Sequence, residues 1–291
     1  MTAPTAAIEA DRALKEKHRA MWALGDYPAL AADIIPGLGQ VLVTACGVRA
    51  GDRALDVAAG SGNAAIPAAR AGAQVVASDL TPELLAAGQQ QAAQQGIELG
   101  WRQGDAEALP FGAGEFDVVM SCLGVMFAPH HQASADELVR VCRPGGTIGL
   151  LSWTPEGFIG QMFAVMKPYA PPPPRGAQPP PLWGREDHVR SLLGDRVRDV
   201  SVRRETVRVD LFARPEDFRD YFKARYGPTI AVYRSIAADP ARIAALDTEL
   251  VELARRHDHG TATVAMDWVY LLLTARKQPG GYSVAWQTQE S

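Results

Sequence analysis

The sequence has few of the residues that build disulfide frameworks and metal centres. Cysteine occurs only three times in 291 residues, at Cys46, Cys122 and Cys142. An odd number without paired spacing argues against a disulfide framework and against a zinc site, and we predict no bound metal. The first twenty residues contain acids and lack an apolar segment, which argues against a secretory signal. These absences predict a protein of the reducing cytoplasm.

Two further absences narrow the class of partner. No apolar run reaches the roughly 18 to 20 residues that a membrane-spanning helix needs, so no membrane span is expected. The 29 basic and 33 acidic residues give a formal net charge of −4, and lysine and arginine form no dense cluster. A nucleic-acid partner is therefore not expected, whereas the oligomeric state stays open. With 47% hydrophobic and 21% charged residues, the composition is that of a folded globular protein.

The first positive signal is the stretch ALDVAAGSGNAAIPAA at residues 54–69. An aliphatic run, a glycine turn and an alanine-rich segment follow one another, which is typical of a strand–turn–helix unit that offers backbone N–H groups to a ligand. Alternation of this kind continues to about residue 155. The predicted strands are 53–58, 74–78, 98–103, 116–122 and 147–153, and the predicted helices between them are 63–71, 81–95 and 133–143. The pattern predicts an α/β fold with a doubly wound, Rossmann-like, mostly parallel sheet.

The segments on either side of this core lack its regular alternation of predicted strands and helices. We predict three regions: a helical N-terminal cover (1–45), the core (46–155), and a covering region that completes the sheet (156–291). A slip in the apolar alternation predicts a bulge or turn near Arg203–Thr206. The apolar run at 264–277 is compatible with a strand or a helix.

Three acids follow three successive predicted strands, at Asp56, Asp79 and Asp105. The carboxyl ends of parallel strands meet at one edge of a sheet, where ligands bind in this type of fold. The Gly60–Ala65 segment fits a loose dinucleotide-binding pattern but has no basic residue for a phosphate. Asp79 suits ribose hydroxyls in either class of ligand and does not discriminate between them. A cationic nucleoside without phosphate fits all three acids better, and S-adenosylmethionine (SAM) has this chemistry.

With these residues in place, the chain resembles the class I SAM-dependent methyltransferases. It is similar in particular to the small-molecule group that contains the ubiquinone/menaquinone biosynthesis methyltransferases. The stretches that carry the resemblance are LDVAAGSGNAAI, VVASDLTPELLAAGQQQA, GDAEALPFGAGEFDVVMSCLGVMF and ELVRVCRPGGTIGLLSW. The resemblance implies a seven-stranded sheet with N-terminal helices and a C-terminal helical cap insertion. Ala58 departs from the family pattern, which usually has glycine at this position.

The resemblance also implies a set of cofactor contacts. The methionine and ribose end of SAM is expected at Asp56, Ala58, Gly60 and Gly62. The ribose and adenine are expected at Asp79, Leu80, Asp105 and Ala106. A backbone carbonyl of Ser121 or Cys122 is expected to accept from the ammonium group, and Tyr27 is expected to close over the cofactor.

Methyl transfer needs a general base only if the acceptor must lose a proton. His130 and His131 follow the fourth predicted strand, close to the edge where the methyl group is expected, and are the candidate catalytic residues. The competing interpretation is that each histidine is a polar loop residue or caps a helix. His18 is predicted on a solvated helix face.

The leading hypothesis is a SAM-dependent methyltransferase that acts on an oxygen or carbon of a small, aromatic or quinone-like acceptor. One alternative is a nicotinamide-dependent oxidoreductase, and another is a non-catalytic SAM-binding protein, because a fold alone does not establish catalysis.

Overall fold

The computed structural model describes residues 3–174 and 176–279, so the end of the predicted third region lies outside the described residues. The strands are β1 (Arg53–Val57), β2 (Gln74–Asp79), β3 (Gly100–Gln103), β4 (Phe116–Cys122), β5 (Cys142–Trp153), β6 (Val197–Val209) and β7 (Met266–Lys277). The first six α-helices are α1 (Ala3–Trp22), α2 (Tyr27–Ile34), α3 (Leu38–Cys46), α4 (Ala65–Arg70), α5 (Pro82–Gln94) and α6 (His131–Val141). They are followed by α7 (Phe158–Met166), α8 (Glu186–Leu193), α9 (Pro215–Arg225), α10 (Gly227–Ser235) and α11 (Pro240–His257).

All seven strands form one sheet in the order β3-β2-β1-β4-β5-β7-β6. The strands from β3 to β5 are parallel, and β7 runs antiparallel to both β5 and β6. The predicted α/β fold with a mostly parallel, seven-stranded sheet is therefore confirmed. Strand order reverses at β1, which lies between β2 and β4, and a crevice forms outside the carboxyl ends of the strands at such a point.

The centre of the sheet is buried on both faces, as expected for parallel strands covered by helices. Residues Ala54–Val57 of β1 are fully or almost fully buried. Helix α3 packs on β4, β5 and α4. It approaches so closely that a Cβ on Gly149 of β5 would lie 2.1 Å from the Cys46 Sγ. Cys46 therefore packs as a small core residue.

Most predicted elements are present, and the differences concern their ends. Helix α6 ends at Val141 rather than at residue 143, because Cys142 is already extended and pairs with Phe116 of β4. Helix α5 begins at Pro82 rather than at residue 81, and the Thr81 side chain before it makes no capping hydrogen bond. The apolar run left open between helix and strand forms β7.

The predicted bulge near Arg203–Thr206 is wrong. Pairing between β6 and β7 is continuous from Ser201 to Val209, and the register shift lies earlier, between Arg198 and Ser201. Strand β6 is the edge strand and is covered on opposite faces in its two halves. Val200 and Val202 are half-buried in the first half, and the odd-numbered positions from 205 to 209 are covered in the second. Because the covered face of the strand changes between its halves, the apolar positions change from even to odd numbers, although pairing from Ser201 to Val209 contains no inserted residue.

Among the described residues, no single helix is long and apolar enough to cross a membrane; the bent pair α2 and α3 passes such a test together, by length and composition alone.

We predict that Gly39→Ala destabilises the protein, because a Cβ at Gly39 of α3 would lie 1.7 Å from the Asn63 carbonyl oxygen. Either the helix or the glycine loop must shift, and overpacking of this kind costs about 1–3 kcal/mol. Gly37→Ala is the matched control, since nothing lies within 4 Å of its Cβ position. Thermal unfolding should show a lower melting temperature for the first variant only. Equal melting temperatures for the two variants would contradict the packing described.

Candidate active site

A cavity opens where β1, β2 and β4 end. Its volume is about 700 Å³ when the solvent at its open mouth is included. Helix α1, the glycine loop after β1 and the segment after β4 form its walls. Seven of the eleven predicted cofactor residues line it: Tyr27, Ala58, Gly60, Asp79, Leu80, Asp105 and Ala106. The other four, which are Asp56, Gly62, Ser121 and Cys122, lie behind this wall. The sequence prediction therefore placed the cavity at the correct edge of the sheet.

Asp79 ends β2 and is buried, with 7% of its surface exposed. Its Oδ2 accepts from the Gly60 N–H and its Oδ1 from the Thr81 N–H, both at 2.8 Å. Burial raises the pKa of Asp79, and these hydrogen bonds oppose the rise. The carboxylate thus connects the glycine loop to the end of β2 and presents negative charge to the cavity.

Asp56 lies behind the glycine loop and is 1% exposed. Its Oδ2 accepts from the Ala65 N–H at 2.8 Å, at the start of α4. Its Oδ1 is buried and has no hydrogen-bond partner among the residues that the structure describes. Burial raises the pKa of Asp56 to about 7, and the nearby Asp79 charge adds to the rise. A buried carboxylate oxygen without a donor is suited to a cationic or hydrogen-bonding ligand group.

The backbone around the cavity is in an unusual conformation at two non-glycine residues. Ala58 has φ +53° and Leu123 has φ +63°, and both line the cavity. Left-handed backbone is costly for such residues and is found at functional sites. Gly124 follows Leu123, and a Cβ there would lie 2.0 Å from the Ala58 carbonyl oxygen. The loops after β1 and β4 therefore approach each other too closely for any side chain at Gly124.

Tyr27 begins α2, and its ring lies over the glycine loop; its closing over the cofactor stays a prediction. A Cβ at Gly60 would lie 3.2 Å from the Tyr27 ring. Trp22 packs edge-on against this ring at 5.6 Å and against Phe127 at 4.7 Å between ring centroids. Burial raises the pKa of Tyr27, and the nearby carboxylates of Asp79 and Asp56 add to the rise, so the phenol stays neutral.

Ser121 and Cys122 support the cavity from behind. The Ser121 hydroxyl donates to the Val57 carbonyl at 2.6 Å and accepts from the Val125 N–H at 2.9 Å. It thereby joins the end of β1 to the loop after β4. Burial raises the pKa of Cys122, so this thiol stays protonated. Gly62 packs against Trp101, which would lie 2.8 Å from an added Cβ.

Asp105 has a partner that the sequence analysis missed. The Lys15 Nζ of α1 lies 2.6 Å from the Asp105 Oδ2, 3.0 Å from Glu107 and 2.9 Å from Asp11. Burial would lower the pKa of Lys15, but hydrogen bonds to Asp105, Asp11 and Glu107 outweigh it and raise the pKa. A basic side chain therefore lies in the cavity wall. Asp11 is one helical turn from Lys15, but Asp105 and Glu107 are far from it in the sequence and come close only in the folded protein, so no local pattern in α1 indicated these two contacts.

The two predicted catalytic histidines lie outside the cavity wall. The His130 Nδ1 is 2.9 Å from the Glu107 Oε2, and its ring faces the segment around Gly176. His131 is fully buried, with its Nδ1 2.9 Å from the His188 Nε2. Burial lowers the pKa of His131 to about 3. The catalytic role of both residues stays a prediction, and the geometry of His131 favours packing.

His18 was predicted on a solvated helix face, and this prediction is wrong. It lies in the wall of the cavity beside Lys15. Burial lowers the pKa of His18, so its neutral form is favoured. The neighbours of His18 in α1 are mostly charged, so the sequence did not indicate that this position faces the cavity.

Asp11, Glu107 and His130 offer ligand atoms that lie within 4.8 Å of one another. The Lys15 ammonium contacts both carboxylates. It supplies positive charge at the place where a cation would otherwise be required, so this cluster is explained without a metal.

Comparison with known proteins agrees with this geometry. Residues 55–150 match a methyltransferase domain family. An uncharacterized protein of Mycobacterium tuberculosis is 56% identical over 260 residues, which cover 89% of this chain and 94% of that protein. The demethylmenaquinone methyltransferase of Thermus thermophilus is 35% identical over 121 residues, which cover 40% of this chain and 55% of that protein. The likeness to the second relative thus extends over less than half of this chain.

The fold has similar solved structures. One is phosphoethanolamine N-methyltransferase 2 of Haemonchus contortus, determined in complex with S-adenosyl-L-methionine, with a TM-score of 0.52 and 16% identity. The match covers 82% of this chain and 52% of that one. At this identity the likeness concerns the fold.

We predict that the Asp56 carboxyl makes stability pH-dependent. The folded protein keeps this proton up to about pH 7, whereas the unfolded chain releases it near the ordinary Asp pKa of about 3.9. The folded state binds more protons between these values, so Asp56 lowers stability as pH rises through this window. Asp56→Asn should therefore gain stability relative to the parent protein on going from about pH 5 to about pH 8, by at most about 1.4 kcal/mol per pH unit.

Denaturant unfolding of the ligand-free protein at both pH values measures this difference. Asp117→Asn is the control, because hydrogen bonds from the Arg53 N–H and from Arg143 lower the pKa of Asp117, so this carboxyl is ionised in the folded and the unfolded chain throughout the window. Its loss should change stability by the same amount at both pH values. The same pH trend in both variants would contradict the burial of an unpaired Asp56 oxygen.

Proposed function

Because the chain belongs to the class I SAM-dependent methyltransferases, we propose that it transfers a methyl group from SAM to an oxygen or carbon atom of a small, aromatic or quinone-like acceptor. One observation carries the SAM assignment above the others. Two buried carboxyl groups lie at the cavity, Asp79 in its wall and Asp56 behind that wall. The glycine loop between them has no basic residue. A cationic ligand would favour the ionised form of both acids, whereas a pyrophosphate would oppose it, and the Lys15 ammonium in the same wall is already paired with Asp105 and Glu107.

The residues present fit SAM at each of its ends. The unpaired Asp56 Oδ1 and the carbonyl groups near Ser121 and Cys122 suit its ammonium group. Asp79 and Leu80 suit the ribose and one face of the adenine. Asp105 and Ala106 suit the adenine edge, where the Asp105 Oδ1 already accepts from the Glu107 N–H at 2.9 Å. Ala58 and Gly60 leave the backbone accessible beside them.

Bound SAM supplies a methyl group on a positively charged sulfur. In the overall reaction the S–CH₃ bond breaks with its electron pair on sulfur, a C–O or C–C bond forms, and one acceptor proton leaves to water. The chain's contribution is positioning, because well-oriented reactants gain effective molarities on the order of 10⁵ M or more. The Trp22 ring packs against Tyr27 and Phe127 in the wall of the cavity, so the three rings form an apolar surface beside the site.

The binding half of the proposal predicts that S-adenosylhomocysteine (SAH), the demethylated product, binds with measurable heat, whereas NADH does not. Asp79→Asn should weaken SAH binding at least about ten-fold, the factor that corresponds to 1.4 kcal/mol and the minimum expected for a hydrogen bond to a charged group. Isothermal titration calorimetry measures both values. Asp117→Asn, near the opposite ends of the strands, is the control and should leave the affinity unchanged.

Tight binding of NADH together with no heat from SAH would overturn the assignment in favour of an oxidoreductase.

The catalytic half is tested by label transfer from [methyl-¹⁴C]SAM to a panel of phenols, hydroquinones and primary amines. We expect label in a phenol or hydroquinone. Label in the amines alone would overturn the acceptor class. SAH binding without label in any extractable product, from the panel or from a small-molecule cell extract, would favour a non-catalytic binding protein.

A further inference from the structure

Lys15 of α1 lies in the cavity wall, at the end of the cavity where the Asp105 carboxyl also lies. Its side chain is only 17% exposed. A lysine at this place is unexpected for a site that takes a cationic ligand, because like charges repel each other. The partners of the ammonium group explain why it is compatible with such a ligand.

The Lys15 ammonium has three N–H donors, and three carboxyl groups surround it. Its Nζ lies 2.6 Å from the Asp105 Oδ2, 2.9 Å from the Asp11 Oδ2 and 3.0 Å from the Glu107 Oε2. Each donor therefore has one acidic partner, and no donor of Lys15 is left for a ligand. Because the acids outnumber the ammonium group, this end of the cavity keeps a negative balance of charge.

Glu107 gives Lys15 a partner with little freedom to move. Its side chain is 4% exposed. Its Oε1 accepts from the His130 N–H at 2.6 Å, and its Oε2 lies 2.9 Å from the His130 Nδ1. Rotation of this buried carboxyl group would leave donors unpaired, which is unfavourable. Lys15 is thereby connected to the segment that precedes α6.

Asp105 is held at both oxygens and is still accessible from the cavity. Its Oδ2 contacts Lys15, and its Oδ1 accepts from the Glu107 N–H at 2.9 Å. A carboxylate offers about four lone-pair positions, so these contacts leave each oxygen able to accept a further bond. The Asp105 side chain is 23% exposed and lines the cavity. It therefore presents acceptors in a defined orientation to a space that a ligand can enter.

His18 is the other ionisable side chain that α1 places in this wall. Burial lowers the pKa of His18, and the Lys15 charge adds to the decrease, so the imidazole is neutral. Within the described part of the chain, this end of the wall thus carries no positive charge without an acidic partner. A ligand group that donates hydrogen bonds is therefore favoured here over one that only accepts them.

We propose that Lys15 is a positioning residue, which holds the Asp105 carboxylate so that it accepts a hydrogen bond from the 6-amino group of the bound adenine. Lys15 does not itself contact the base, because all of its donors are used. This inference rests on the proposed function, since it assigns the cavity to SAM. A basic residue of α1 thereby helps the protein to select an aminopurine over a purine that lacks this donor.

The experiment compares SAH with its 6-deamino analogue, in which a hydrogen atom replaces the amino group, by isothermal titration calorimetry at neutral pH. The parent protein should bind SAH at least about ten-fold more tightly, the minimum expected for a hydrogen bond to a charged group. Lys15→Met should lower this ratio at least about three-fold, a modest coupling within one hydrogen-bond network. A change that weakens both ligands alike does not move the ratio.

Three further variants accompany this measurement. Lys17→Met is the matched control, because Lys17 is an exposed residue of the same helix outside the cavity wall, and it should keep the parent ratio. Lys15→Arg keeps the positive charge and should retain more of the ratio than Lys15→Met. Asp105→Ala removes the acceptor itself and should reduce the ratio to less than about two-fold.

The outcomes separate this inference from the proposed function. Failure of SAH to bind the parent protein would overturn the proposed function. Normal SAH binding with equal affinity for the deamino analogue, or with a parent ratio that survives Lys15→Met or Asp105→Ala, would overturn the positioning role alone. The same conclusion would follow if Lys17→Met lowered the ratio as much as Lys15→Met, or if Lys15→Arg retained no more of it.

Discussion

The two hydrogen bonds from the Gly60 and Thr81 N–H groups to Asp79 are the interaction on which the candidate site depends. They connect the loop after β1 with the end of β2, so the crevice at the reversal of strand order keeps a defined width. The carboxylate that accepts them is buried, and burial raises its pKa. The protein therefore holds negative charge where charge is unfavourable, and a cationic ligand would relieve that cost.

Backbone conformation on the other side of the crevice follows from the same close packing. Ala58 and Leu123 both adopt positive φ, and the Ala58 carbonyl lies where a side chain at Gly124 would be. The Ser121 hydroxyl fixes this arrangement through its bonds to Val57 and Val125. These contacts hold the loops after β1 and β4 together, and a defined geometry of this kind is what catalysis by positioning requires.

The cover over the crevice is built from parts of the chain that are far apart in sequence. Helix α1 brings Lys15 and Trp22 to the cavity, and α2 brings Tyr27. Residues 55–150 match a methyltransferase domain family, whereas the likeness to the mycobacterial relative covers 89% of the chain and therefore most of this cover as well.

The sequence by itself determined the alternation of strands and helices in the core and the positions of Asp56, Asp79 and the glycine loop. These features are local, because side-chain periodicity and glycine turns act over a few residues. Only the tertiary structure decided that Lys15 pairs with Asp105, that His131 is buried against His188, and that His18 lies in the cavity wall. These contacts join segments distant in the chain, and only packing brings such segments together.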